Sequence, residues 1–575
     1  MRGDRILWVV CGLGLGCGDA GQAEGGEATG LTAASASGGE TSGSGTEASP
    51  TTSPASEAGP TGEPGTGGPG CAAPLAVCDG VCVDTQNDRT HCGGCAVNCG
   101  DALVCVMGEC GLACGASATA CGDLCSDLQH DPLHCGACDH ACEPGVVCVA
   151  GSCAPDCAEE QLQCGERCVD PGSDEANCGG CDVACPMGQP CVYGECVAAA
   201  IHHLLISGQS LSCGATSPVV SAVQPYANLS FNTGVRAGGV GLTSFIPLVE
   251  TWDGSQGETI ASGLANLIAS QAEAMGGSYV MLASAHGVGG QPYSAIKKGT
   301  AAYANGVAQV TAGFTIAAML GQSYAVRGLT IVHGESDHVV GNLGYADNLL
   351  AWQSDYEADV AAIVGVSRPL PMFYCQMSSY TKYGQATSAI PGLQLAAARA
   401  RPDRMFVVGP KYFMPYTDGV HLTGDGERWL GEYYAKAYRK VLIDGERWSP
   451  LQPKAITRDG SVITIGFEVP APPLVLDETL VSNPGNYGFE FYDTSGAPPA
   501  ITSVELVDAT TVRVILATPP IGGNRRIRYA FTGTPGVWAG PMTGARGNLR
   551  DSDTTASLHG YLLYNWAVHF DEPVP

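Results

Sequence analysis

From Ile201 onward the chain alternates between short apolar runs and longer segments of helical periodicity. Leu204–Ser207, Tyr279–Ala283, Leu329–His333, Pro371–Gln376 and Met405–Val408 read as buried strands. Between them Glu258–Met275, Ala301–Met319, Leu343–Val364 and Ile390–Ala400 are long and periodic enough to be helices. Strand and helix in alternation predict a parallel sheet covered on both faces. Such a sheet gathers its functional loops beyond the carboxyl ends of its strands. After Trp448 the helical pattern stops. Ser461–Val469, Ser503–Leu506 and Thr511–Leu516 are strand-like with Pro and Gly turns between them, which predicts a β-sandwich over residues 446–575.

The opposite end of the chain has no such pattern. Gly18–Gly70 is dominated by Gly, Ser, Thr, Ala, Glu and Pro, with one Leu and no aromatic, Lys or Arg. It cannot bury a core and reads as a disordered linker. As a flexible coil it would span roughly 40 Å. Ahead of it, Arg2 and Arg5 precede the apolar run Ile6–Gly16, which is too short to cross a bilayer as a helix. With Cys17 following, residues 1–17 read as an export signal of the lipoprotein kind, with Cys17 the acylated residue.

Cysteine usage adds a repeat that hydropathy does not show. Of 28 cysteines, 24 lie between Cys71 and Cys196, in three octets beginning at Cys71, Cys114 and Cys157. Every spacing recurs with a period of 43, giving units 71–113, 114–156 and 157–199. Disulfides fit the even count, the export signal and units too small to fold on a core alone. Zinc is the competing reading of pairs such as Cys92-x-x-Cys95. Against it, His91 and His134 become Asn177 in the third unit, so no histidine ligand recurs. Eight cysteines allow 105 pairings, and spacing does not choose among them. The units resemble small Cys-rich modules of secreted myxobacterial proteins.

The 575 residues are too many for one ordinary domain. The net charge is −29 with only 27 Lys and Arg, which excludes a nucleic-acid partner, since phosphate binding needs a basic face.

Four segments carry chemistry. Gly208-Gln209-Ser210 follows the first strand, where a serine at a strand-to-loop corner exposes its hydroxyl. The same tripeptide at Gly321-Gln322-Ser323 precedes a strand and so lies at the wrong end of the sheet. Gly287-Val288-Gly289-Gly290 follows the second strand and can offer bare backbone N–H groups to an oxyanion. His333-Gly334-Glu335-Ser336-Asp337 ends the third. Asp418-Gly419-Val420-His421 precedes the last helix; there an imidazole can act as general base with the carboxylate fixing its tautomer. Spacing alone is cheap, since Asp127 and His130 repeat it inside the Cys-rich units.

In this order the four segments are similar to the blocks of SGNH hydrolases. The GQS and HGESD forms resemble the sialate O-acetylesterase and plant acetylesterase branch, over residues 200–445. The resemblance implies a flavodoxin-like three-layer α/β domain and a serine esterase needing no metal or organic cofactor. Ser210 would be the nucleophile, His421 the base and Asp418 its orienter. The oxyanion hole would use the Ser210 N–H and one of Gly287, Gly289 and Gly290. His333 stands where relatives carry Gln and would donate there too, while Glu335 would be a buried structural carboxylate. The implied substrate is an acetylated carbohydrate; the export signal would place the enzyme at the cell envelope, touching membrane only through a lipid on Cys17, or, as an ordinary secretory signal, release it as a secreted protein. Two other readings stay open: a glycan-binding or adhesive surface protein with a vestigial hydrolase fold, and an esterase of lipid or peptidoglycan esters. Cys213 and Cys375 stand outside the repeats, either paired or as two buried thiols.

Overall fold

The computed structural model describes residues 200–575 without a break and parts of 76–196. The expected signal, Cys17 and the 18–70 linker lie outside the described residues. The chain forms two compact units; one holds the first two Cys-rich repeats, the other most of the third repeat with everything after it.

Each Cys-rich repeat is built from two short antiparallel hairpins. In the second these are Thr119–Cys121 with Leu124–Ser126, and Val146–Val149 with Ser152–Pro155. In the third repeat Cys157 bonds Cys168, Cys164 bonds Cys181, Cys178 bonds Cys191 and Cys185 bonds Cys196. The pattern is first to third, second to fifth, fourth to seventh and sixth to eighth. The described bonds of the other two repeats obey it, as in Cys78–Cys95, Cys92–Cys105 and Cys99–Cys110. The exchange of His134 for Asn177 also has a physical reason. His134 Nδ1 accepts from the Asp139 N–H, and Asn177 Oδ1 accepts from the Asp182 N–H, both at 2.9 Å. The position needs an acceptor for a turn amide, and either side chain supplies one.

The third repeat is bound to the α/β region. Glu175 and Arg327 form an ion pair at 3.0 Å, with only 11% and 6% of their side chains exposed. Arg368 donates to the Cys191 carbonyl at 3.3 Å.

The central sheet has seven strands: β1 (Ala200–Gly208), β2 (Leu229–Phe231), β3 (Phe245–Pro247), β4 (Val280–Ala285), β5 (Ser323–Val332), β6 (Met372–Gln376) and β7 (Met405–Pro410). Their spatial order is β3-β2-β4-β1-β5-β6-β7. All neighbours run parallel except β3, which pairs antiparallel with β2, so the sheet is mixed rather than wholly parallel. β2 and β3 have three residues each, too few to show a period in the sequence.

Helices α1 (Ile260–Ala274) and α7 (Gly424–Leu442) pack on each other and on the sheet. A second group, α3 (Ala301–Met319), α5 (Tyr345–Val364) and α6 (Ile390–Ala400), packs in series against β1 and β5–β7. Short helices α2 (Tyr293–Ile296) and α4 (Glu335–Val340) come after β4 and β5. α1, α3 and α7 each start at a threonine, Thr259, Thr300 and Thr423, whose side chain accepts a first-turn N–H. The cap at Thr423 fixes where the loop before α7 ends.

Residues 452–573 hold a four-stranded antiparallel sheet, a three-stranded one and a two-stranded ribbon. The larger sheets meet where Phe467 packs edge-on against Phe570, ring centroids 6.1 Å apart. This region does not stand apart. Its core is continuous with that of the α/β region. Tyr412 Oη donates to the Ala567 carbonyl, Tyr433 Oη to that of Tyr564, and Lys436 pairs with Asp553 at 2.6 Å. No described helix is long and apolar enough to cross a membrane.

Candidate active site

β2, β3 and β4 all lie to one side of β1, and the chain then crosses to β5 on the other. The crevice beyond the carboxyl ends of strands at such a reversal is where open α/β sheets bind ligands. Ser210 lies there, two residues past β1, opening a 3₁₀ turn (Ser210–Cys213). Gly208 makes that corner: its φ is +137°, and a Cβ would collide with the Val332 carbonyl of β5. Gln209 then reaches across, its Oε1 accepting from the Ser336 N–H at 3.0 Å.

The loop between β7 and α7 brings the other two residues. Thr417 N–H donates to the His421 carbonyl, and Ser217 Oγ donates to the Leu422 carbonyl at 2.7 Å. Held this way, His421 Nε2 accepts from Ser210 Oγ at 2.8 Å, and His421 Nδ1 donates to Asp418 Oδ2 at 2.7 Å. The other oxygen of Asp418 accepts the backbone N–H groups of Val420 and His421. Burial works to raise the Asp418 pKa. The His421 imidazole and the two backbone donors outweigh it and hold the carboxyl well below the usual carboxylate range. Asp418 is therefore an anion opposite the imidazole. The Asp127–His130 contact exists too, at 3.0 Å, but is exposed and lies in the Cys-rich unit. Ser323 is the first residue of β5, at the far end of the sheet.

The glycine cluster divides. Gly287 is buried against the Gly208–Ser212 corner, where a Cβ would collide with the Ser212 hydroxyl. Val288 spends its N–H on the Gly208 carbonyl at 3.0 Å. Gly289 is half-buried and Gly290 exposed, with open space around the latter.

His333 does not do what the resemblance implies. Its Nε2 must carry a proton, because it faces the Gln291 carbonyl at 3.0 Å. Its Nδ1 therefore accepts from the Tyr345 hydroxyl at 2.7 Å. No N–H remains for an oxyanion. The ring is enclosed between Tyr345 and Trp352, and burial lowers its pKa, so it stays neutral.

Glu335 is fully buried and ion-paired with Lys411 at 2.8 Å, also accepting from Ser379 Oγ at 3.1 Å. Burial works to raise its pKa, but the Lys411 ammonium prevails and the group is lowered. Lys411, Ser379 and the Gln209 carboxamide escape a sequence reading. A lysine in the apolar stretch Met405–Met414 was the available signal, since a buried ammonium needs a carboxylate. Cys375 is a buried free thiol whose pKa burial raises, while Cys213 is disulfide-bonded, so the two neither pair with each other nor stand as two free thiols.

The profile of the stigma-specific STIG1-like protein family matches residues 107–156 and again 150–199, which replaces the myxobacterial likeness expected of the repeats. No curated protein matches the chain. Among solved structures it is similar to a carbohydrate acetylesterase from Xanthomonas citri at 15% identity, covering 64% of this chain and 80% of that one, with a TM-score of 0.44. A protein from Arabidopsis thaliana matches at 14% identity, covering 42% and 100%, TM-score 0.32. A carbohydrate acetylesterase from Sinorhizobium meliloti matches at 15% identity, covering 41% and 97%, TM-score 0.25.

Proposed function

We propose that the protein is a serine esterase of SGNH type that removes O-acetyl groups from carbohydrate. The observation that carries the reading is the unbroken chain from Ser210 Oγ through the His421 ring to Asp418, at 2.8 and 2.7 Å, beyond the carboxyl end of β1. Ser210 Oγ attacks the ester carbonyl while His421 Nε2 takes its proton. Asp418 holds Nδ1–H in place and stabilises the imidazolium. The oxyanion is met by the N–H of Ser210 and that of Gly287. Return of the proton to the sugar alkoxide releases the alcohol and leaves acetyl-Ser210. His421 then deprotonates water, which frees acetate and restores the hydroxyl. The acetyl-sugar assignment rests on the GQS and HGESD forms of the blocks. Export and a lipid on Cys17 would place this activity at the cell envelope.

The test is acetate release from acetylated xylan and hydrolysis of 4-nitrophenyl acetate, by wild type, Ser210→Ala and Ser323→Ala. Ser210→Ala should lose at least roughly 10³-fold in kcat, because triad members act as a unit. Ser323→Ala should keep the wild-type rate. Equal rates in wild type and Ser210→Ala would refute the assignment.

A further inference from the structure

Trp538 belongs to the C-terminal β region yet lies against the loop that carries Asp418 and His421. A Cβ at Gly419 would stand 2.6 Å from Trp538 Cγ, so the ring rests directly on that glycine. Even so, Trp538 is 46% exposed. An indole held open to solvent beside a catalytic loop has a face to offer.

The segment that carries the ring is anchored by hydrogen bonds. Gly536 N–H donates to the Thr381 carbonyl at 2.7 Å, and Gly533 N–H to the Ala386 carbonyl at 2.9 Å. Thr543 Oγ1 donates to the carbonyl of Trp538 itself at 2.9 Å. Tyr380 Oη donates to the Phe531 carbonyl at 2.8 Å. The Tyr380–Tyr383 turn and the 531–545 segment thus form one rim. On that turn Lys382 places Nζ 5.1 Å from the indole centroid, and Tyr383 is 39% exposed. A rigid platform loses little conformational freedom when a ligand settles on it.

We propose that Trp538 is the stacking surface for the pyranose ring that bears the scissile ester, so that the C-terminal β region completes the active site. A pyranose has an apolar face of C–H groups and a rim of hydroxyls. The indole face, negative in its quadrupole, suits the C–H groups. Lys382 Nζ stands over the indole, and its flexible stem can swing aside so that the ammonium donates to the hydroxyls once the sugar stacks. The inference rests on the esterase reading, and its test keeps the two separate.

The full chain, Trp538→Ala and Trp538→Phe are compared on acetylated xylo-oligosaccharide, 4-nitrophenyl acetate and 4-nitrophenyl octanoate. In Trp538→Ala the ratio of kcat/KM for oligosaccharide to that for 4-nitrophenyl acetate should fall roughly tenfold, mainly through KM, the usual weight of one aromatic anchor. Trp538→Phe should recover most of it. An unchanged ratio, or a loss confined to the octanoate, overturns the platform; the latter would make it an acyl-chain surface. If the wild type hydrolyses none of the three, the esterase reading fails by itself. Calorimetric titration of deacetylated xylo-oligosaccharide into Ser210→Ala, with and without Trp538→Ala, then decides. Binding that needs Trp538 supports the platform, and binding that ignores it, or none, overturns it.

Discussion

The Tyr345 hydroxyl stands 2.7 Å from His333 Nδ1, and that contact decides what His333 can do. With Nε2–H committed to Gln291, the ring is a fully used hydrogen-bonding spacer between β5, α5 and the 287–291 loop. His333→Ala leaves a buried hydroxyl and a carbonyl unpaired and should cost about 1–3 kcal/mol of stability. The pH–rate profile should keep its shape. Chemical denaturation and a kcat/KM profile over pH measure the two effects; a new limb in the profile, with stability intact, would return His333 to the oxyanion hole.

Asp418 is expected to act on the imidazole rather than on substrate. Asp418→Asn keeps an acceptor for the Val420 and His421 amides but lets the ring adopt the wrong tautomer. The rate on 4-nitrophenyl acetate should fall by roughly 10²–10⁴ with the fold unchanged. A loss of only a few fold would mean that His421 is oriented by other contacts.

Glu335 and Lys411 form an ion pair with no exposed side-chain surface on either partner. Removing one partner strands the other charge. Lys411→Met should destabilise the protein by about 3–5 kcal/mol, and adding Glu335→Gln should restore part of that loss. Denaturant midpoints of the two variants check it. If the double variant is no better than the single one, Lys411 matters through its packing.

What the sequence shows and what it hides separate along physical lines. α3 and α6 are legible because their apolar positions recur over many residues with clear starts. Ser210 is distinguishable from Ser323 because a strand end has a direction. By contrast β2 and β3 are too short to carry a period, and β3 turns the sheet mixed. The orientation of His333 depends on Tyr345 and Trp352 of α5, so its place in a block could not reveal that both nitrogens were taken. Trp538 meets Gly419 only because the β region shares a core with the α/β region. A boundary at residue 446, drawn where helical periodicity ends, hides that shared core.

Three further histidines are buried and neutral. His203 is lowered to about 3, and His286 and His569 to about 4, each mainly by burial. For such a group the unfolded chain binds a proton that the folded chain refuses. The stability it contributes is present above the unfolded value of 6.5 and is lost as pH falls toward the folded one. Glu250 works the other way: burial and the neighbouring Glu258 push its carboxyl up to about 8, so its contribution is lost as pH rises. A bare stability–pH curve therefore mixes opposing slopes, and a difference measurement isolates one group. His569 Nδ1 donates to the Ala530 carbonyl at 2.5 Å while Nε2 accepts from Ser378 Oγ at 2.8 Å. His569→Gln can keep one donor and one acceptor but does not titrate. The wild type should hold its largest advantage in Tm over this variant near pH 7, and that advantage should shrink as pH is lowered to 4. A gap that stays constant across the range would show that His569 is protonated alike in the folded and unfolded chains.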